Sequence, residues 1–274
     1  MMKLAIIGTG QMGRALVRAF AGVVLSAENI AVYDVNEESS KSLASEIGCA
    51  QITKVTLNRL SDYNAVLLAV KPQVIAEAIN NLSTYFQDKA ILISIAAGKS
   101  LAELGELTNE NYRLVRVMPN TPAMVGSGVS AIAYSNSVDE KIKNWIMQLF
   151  SACGLAFEVP EKLMDAVTGL SGSGPAYMML VMEALADGGV RQGLSRELAI
   201  KMAAMTMLGS AKLVLESGQH PAVLKDQVCS PAGTTIEAVA VLEKYGLRSA
   251  LIEAVAASSA KSAKLGYKEG NAGK

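Results

Sequence analysis

KLAIIGTGQMG, residues 3–13, is a short apolar run that breaks into three glycines. Leu4, Ala5, Ile6 and Ile7 are consecutive core-type side chains, the pattern of a strand covered on both faces. Gly8, Gly10 and Gly13 then fall at G-x-G-x-x-G spacing. Gly8 allows a tight turn, Gly10 admits a pyrophosphate close to the backbone, and Gly13 lets a helix pack against the strand. The free N–H groups opening that helix face the phosphates, so Gly8, Thr9, Gly10, Gln11, Met12 and Gly13 form a candidate dinucleotide turn. Working outward, a helix is predicted over residues 12–21 and a second strand over Ile30 to Tyr33. Asp34 follows, 21 positions after Gly13. An acid there accepts hydrogen bonds from the adenosine ribose hydroxyls.

The same strand-to-loop pattern recurs. Asn36 is placed to cap a helix over 37–47 that Gly48 stops. AVLLAV, residues 65–70, reads as another buried strand, and Ala69, Val70, Lys71 and Pro72 carry it into a new helix whose first turn suits proline. Residues 90–95 repeat the pattern and end in Ala96-Ala97-Gly98, small enough for a flat ring to approach the backbone. Residues 114–117 repeat it again and end in Met118-Pro119-Asn120-Thr121-Pro122. Loops at the carboxyl ends of such strands are where α/β sheets bind ligands. Residues 129–133 and 156–159 read as two further strands around a helix over 140–149.

After Pro160 the alternation stops. No strand pattern follows Glu161, only stretches rich in Ala, Leu, Met, Glu and Lys, punctuated at 193–195, 218–221 and 230–233. The expected class is therefore α/β, a doubly wound sheet over 1–160 followed by an all-helical domain over 161–274. AYMMLVM, residues 176–182, is apolar all round, so its helix must be covered on every side, and a partner subunit is the simplest cover.

Composition narrows the function classes. Apolar residues are 51% and charged residues 18% of the chain, and 25 basic residues balance 25 acidic ones, which argues against an electrostatic nucleic-acid binder. Cys49, Cys153 and Cys229 are widely spaced, with no zinc or disulfide pattern, and favour a reducing compartment, the cytoplasm by default. Residues 117–138 are uncharged but carry Pro119, Pro122 and a Gly-Ser-Gly run, so no membrane span is expected there.

Two Gly/Ser-rich segments stand out in the helical half. GLSGSGPAY, residues 169–177, feeds a helix at Pro175. DQVCSPAGTTIE, residues 226–237, feeds another, where free N–H groups and the hydroxyls of Ser230, Thr234 and Thr235 make a neutral cradle for a small carboxylate, although simple N-capping would use the same residues.

Taken together, GTGQMG, AVKPQ, SIAAG, VMPNTPA, GLSGSGPAY, HPAVLKDQVCSPAGTTIEAV and LEKYGLR closely resemble the pyrroline-5-carboxylate reductase family, over residues 4–266. The resemblance implies an N-terminal Rossmann domain that binds NADPH or NADH. It also implies a helical domain that interlocks with a second copy into a homodimer, often assembled further into a decamer. It implies that Ser230, Gly233 and Thr234 hold the carboxylate of pyrroline-5-carboxylate, that Thr235 hydrogen-bonds the ring nitrogen, and that Lys71, Ala97 and Asn120 lie by the cofactor. Two departures matter. The family usually reads S-P-G-G where this chain has Ala232, and many members carry Ser, Thr or Arg where Asp34 stands. A carboxylate there repels the 2′-phosphate of NADPH, so NADH is expected to serve at least as well, with Lys41 the nearest base along the chain.

The chemistry suits these residues. A protonated cyclic imine is already electrophilic at carbon, so orientation supplies much of the catalysis and no strong protein acid is required. His220, the one histidine, precedes Pro221 and reads as a helix cap. A β-hydroxyacid dehydrogenase-like plan would instead place a lysine on the helix after the Gly169–Tyr177 segment, and none occurs before Lys201. A third reading, a protein that binds NADPH without turnover, predicts binding but no oxidation with any imine.

Overall fold

The computed structural model describes residues 2–109 and 111–266, so residues 267–274 of the expected helical domain lie outside it. By packing, the chain divides into two compact units, Ser173–Ala256 and the remainder.

The first unit is built on β1 (Leu4–Ile7), all four of whose side chains are at most 2% exposed. Alternation sends them to opposite faces. Leu4 and Ile6 join a core with Leu16, Val17 and Phe20 of α1 (Gln11–Phe20), while Ala5 and Ile7 join a second core on the other side. At about 1.5 to 3 kcal/mol for each fully buried Leu or Ile, this strand is held from both faces.

Around it lie β2 (Ile30–Tyr33), β3 (Ala50–Gln51), β4 (Ala65–Leu68), β5 (Ile91–Ser94), β6 (Arg113–Met118), β7 (Gly128–Tyr134) and β8 (Gly154–Glu158). Their order across the sheet is β3-β2-β1-β4-β5-β6-β7-β8. Helices α2 (Glu37–Ile47) and α5 (Glu140–Ser151) share the face of α1, where Phe20 and Phe150 meet edge to face at 5.5 Å. Helices α3 (Ile75–Leu82) and α4 (Leu101–Leu107) cover the opposite face.

Three features depart from the sequence reading. The sheet is parallel except where β7 runs antiparallel to β6, because the connection is only a tight turn over Thr121–Val125 and a parallel crossover needs a dozen or more residues. The two-residue β3 was not expected. Tight 3₁₀ turns over Lys54–Asp62 bury Leu60 against the second core.

The first unit also runs past residue 160. Glu161 Oε1 accepts from Leu101 N–H at 2.6 Å and from Arg116 Nη1 at 3.2 Å, and Met164 of α6 (Met164–Val167) packs on Ala131 and Ala133. A π-helical turn over Thr168–Gly172 closes the first stretch of this unit, to which the chain returns at Ala257.

The second unit has no strand among its described residues. It holds α7 (Gly174–Arg191), α8 (Arg196–Ser217), α9 (Pro221–Val228), α10 (Thr234–Lys244) and the start of α11 (Leu247–Gly266). Pro175 lies in the first turn of α7, Ser195 caps α8, Gly218 ends α8 at φ 63°, and His220 caps α9 through Nδ1. The single chain does not cover its apolar helices: Met179 is 60% and Leu180 66% exposed. Helix α8, with mean hydropathy 1.5, is long and apolar enough to cross a membrane by length and composition, and it too is mostly exposed in the single chain.

Candidate functional site

In the first unit the site forms where strand order reverses. β1 has β2 on one side and β4 on the other, so the loops after β1 and β4 diverge and open a crevice at the sheet's carboxyl edge. The glycines there answer to different constraints. A Cβ on Gly13 would lie 2.1 Å from Gly8 O, and one on Gly8, already at φ 101°, would lie 2.6 Å from Ala69 O. Neither position has room for a side chain. At Gly10 nothing from the rest of the fold lies within 4 Å of an ideal Cβ, so the fold itself leaves that space open. Gly10 is also the N-cap of α1 and offers no side-chain acceptor, which leaves the helix's first N–H groups directed at that open space. These features fit the pyrophosphate of a dinucleotide.

Thr9 and Asp34 meet at the next corner. The Thr9 N–H and hydroxyl donate to Asp34 Oδ2 at 2.7 and 2.9 Å, and Asn36 N–H donates to Asp34 Oδ1 at 2.9 Å. Asn36 caps α2 as expected. Beside this corner lies a cavity of about 230 Å³ lined by Gly8, Asp34, Val35, Val70, Val74 and Ala78, with Glu77 and Asn81 as polar lining. Its apolar walls and polar groups suit a purine ring. The α3 contributors were missed in the sequence because they point into the cavity only after α3 docks, and nothing in their spacing marks them.

Lys71 is exposed and precedes the Pro72 turn, and Ala97 is half-buried after β5. Asn120 is different. The residue is 7% exposed and its amide is engaged at both ends: Oδ1 accepts from Val129 N–H at 2.8 Å, and Nδ2 donates to Ser171 O at 3.0 Å. Asn120 thus ties the β6 loop to the π-turn of the GLSGSG segment. Of the thiols, Cys153 is buried, and burial pushes it up to about 11, too high for a nucleophile.

In the second unit, Ser230 to Gly233 make one turn, closed by Gly233 N–H donating to Ser230 O at 3.0 Å. Pro231 fixes the second position and Ala232 takes φ 52° at the third, the combination of a type II turn, which favours glycine there. A Cβ on Gly233 would lie 2.2 Å from Ser230 Oγ and 3.1 Å from Ser230 O, so a side chain there would push the Ser230 hydroxyl out of its present position. Gly233 is the N-cap of α10 without a side-chain acceptor, leaving the N–H groups around Thr234 and half-buried Thr235 free for an anion.

Ala232 is therefore strained. Ala232→Gly is expected to stabilise the protein by about 0.5 to 1 kcal/mol, a rise in Tm of roughly 1 to 4 °C. Calorimetry showing no rise, or a fall, would mean that the left-handed geometry is not imposed on this residue.

Residues 161–265 match the family model described as pyrroline-5-carboxylate reductase dimerisation, and residues 3–98 match that described as NADP oxidoreductase coenzyme F420-dependent. A pyrroline-5-carboxylate reductase of Methanosarcina acetivorans is 44% identical, with 97% of this chain and 98% of the relative aligned. The chain belongs to the pyrroline-5-carboxylate reductase family. The Escherichia coli reductase is 37% identical over 96% of this chain and 98% of its own. Among solved structures, the Plasmodium falciparum pyrroline carboxylate reductase with NADP bound superposes with a TM-score of 0.86 at 33% identity, covering 97% of this chain and 98% of that one. The reductases are NAD(P)-dependent oxidoreductases, and this chain carries both their Rossmann-type sheet and their dimerisation domain.

Proposed function

We infer that the chain reduces 1-pyrroline-5-carboxylate to L-proline, the last step of proline biosynthesis, with NADPH or NADH. The observation that carries the substrate assignment is the uncapped N-terminus of α10 behind the Ser230 turn. Ser230, Gly233 and Thr234 hold the substrate carboxylate there by hydroxyl and backbone N–H donation, where helix polarity favours an anion. Thr235 hydrogen-bonds the ring nitrogen. The bound nicotinamide supplies hydride to the imine carbon. Gly8 to Gly13, Asp34, Asn36, the 69–72 loop, Ala97 and Asn120 position that cofactor. Asn120 does so through its backbone and the loop it braces, because its amide is already engaged.

The working assembly is a homodimer formed by the helical domain over 161–274, with a decamer as its higher assembly and the cytoplasm as its location. The exposed apolar faces of α7 and α8 support partner cover by a second copy.

Thr235→Ala is expected to lower turnover with pyrroline-5-carboxylate by one to two orders of magnitude, corresponding to a lost transition-state hydrogen bond of about 1.4 to 2.8 kcal/mol. His220→Asn preserves the cap of α9 and should stay near wild type. Cofactor oxidation followed at 340 nm reads both, and wild-type turnover in Thr235→Ala would remove Thr235 from the site.

A further inference from the structure

The side chain that meets the ribose corner from the cationic side is not Lys41, the base nearest Asp34 along the chain. Lys41 is exposed and lies 4.0 Å from Glu38. Arg14 is half-buried, and from α1 its side chain crosses to α2. Its Nε donates to Thr9 O at 3.0 Å, and its Nη2 donates to Ser39 O at 2.8 Å and to Ser39 Oγ at 3.1 Å. Ser39 Oγ lies 2.8 Å from Thr9 Oγ1, which donates to Asp34. A guanidinium and a carboxylate are thus held apart by two hydroxyls. Arg14 forms no ion pair among the described residues.

Counting donors and acceptors shows what remains for a ligand. A guanidinium has five N–H donors, and Nε and Nη2 use three of them, so both hydrogens of Nη1 are unspent. A carboxylate has about four acceptor positions, and Asp34 uses three. The corner therefore retains an acceptor that suits a ribose hydroxyl and a planar cationic donor that suits a phosphate. Asp34 alone reads as a residue that rejects a 2′-phosphate. Arg14 sets a positive charge two hydroxyls away from that carboxylate.

We propose that Arg14 is the specificity-determining residue that accepts the 2′-phosphate of NADPH, making this corner a reader of both dinucleotides, with Asp34 taking the hydroxyl of NADH. The proposal rests on the dinucleotide-reductase reading above and deepens it. It moderates the expectation drawn from Asp34 alone: NADPH is used alongside NADH because Arg14 offsets the carboxylate.

The test is calorimetric binding of 2′,5′-ADP and of ADP to the full-length protein, as wild type, Arg14→Gln and Arg14→Lys. Gln keeps a donor for Ser39 but no charge, and Lys keeps the charge without the fork. The ratio of 2′,5′-ADP affinity to ADP affinity should fall at least tenfold in Arg14→Gln and by less in Arg14→Lys. If Arg14 only braces the turn, both ligands weaken together, the ratio stays within threefold of wild type, and the proposal is overturned. If wild type binds neither ligand, the dinucleotide reading itself fails. Cofactor kinetics give a second readout: kcat/KM for NADPH relative to NADH should fall with Arg14→Gln and rise with Asp34→Ser.

Discussion

Gly13→Ala is expected to weaken NADPH and NADH binding by about 100-fold or more and to lower stability by roughly 1 to 3 kcal/mol. The added methyl would lie 2.1 Å from Gly8 O and 3.3 Å from Ala69 Cβ. Gly8 has little room to retreat, because the Ala69 backbone already crowds it so closely that a Cβ built there would lie 2.6 Å from Ala69 O. Backbone therefore opposes backbone, and α1 must swing away from the sheet. Its first N–H groups move with it, out of the position from which they bind phosphate. Gly10→Ala is the control. That methyl meets nothing from the rest of the fold, so the melting temperature should hold while affinity falls, because the space it fills is the ligand's. Fluorescence titration of NADPH with parallel thermal melts separates the two. Wild-type affinity in Gly13→Ala would mean that the turn does not hold the cofactor.

Met179→Glu is expected to split the assembly or to leave it unfolded. Met179 and Leu180 stand 60% and 66% exposed on α7, and Met205 of α8 is 66% exposed. A monomeric protein rarely leaves so much large apolar surface in water, and the dimerisation domain supplies the reason for it here. In a twofold assembly one substitution acts twice, placing two carboxylates in an interface with no partner for either. Each costs several kcal/mol if buried charged. Light scattering coupled to size exclusion should report a monomer or aggregate for the variant and a dimer or a multiple of it for wild type. A fully folded, active wild-type monomer would overturn the assembly assignment.

The residues themselves carried much of the architecture. Four apolar residues followed by G-x-G-x-x-G leave few options, because strand burial, a turn at φ 101° and close helix packing each restrict composition locally. Capping and stopping were equally local. Asn36, Gly48 and His220 act on backbone groups within a few positions of themselves, so their roles were legible from order alone. The Ser230–Thr235 loop was recognisable for the same reason, together with its family resemblance.

What remained hidden depends on groups that meet only after folding. Arg14 and Ser39 are 25 positions apart, and only the packing of α1 beside α2 turns a surface-type arginine into part of the ribose corner. Asn120 read as a ligand contact, yet Val129 and Ser171 claim its amide, the latter from 51 positions away. The antiparallel turn of β7, the two-residue β3 and the α3 wall of the cavity carry no periodic signal of their own. Ala232 shows the division within one residue. Its identity marked a departure from S-P-G-G, but only the backbone showed that the turn still takes φ 52° there, because Pro231 and the Gly233–Ser230 hydrogen bond impose the geometry on whatever side chain occupies it. Sequence order by itself determined which segments become strands, turns and caps, since those follow from local sterics and burial pattern. The tertiary structure decided which polar groups are spent on the fold and which are left for a ligand, since that count depends on neighbours brought in from distant parts of the chain.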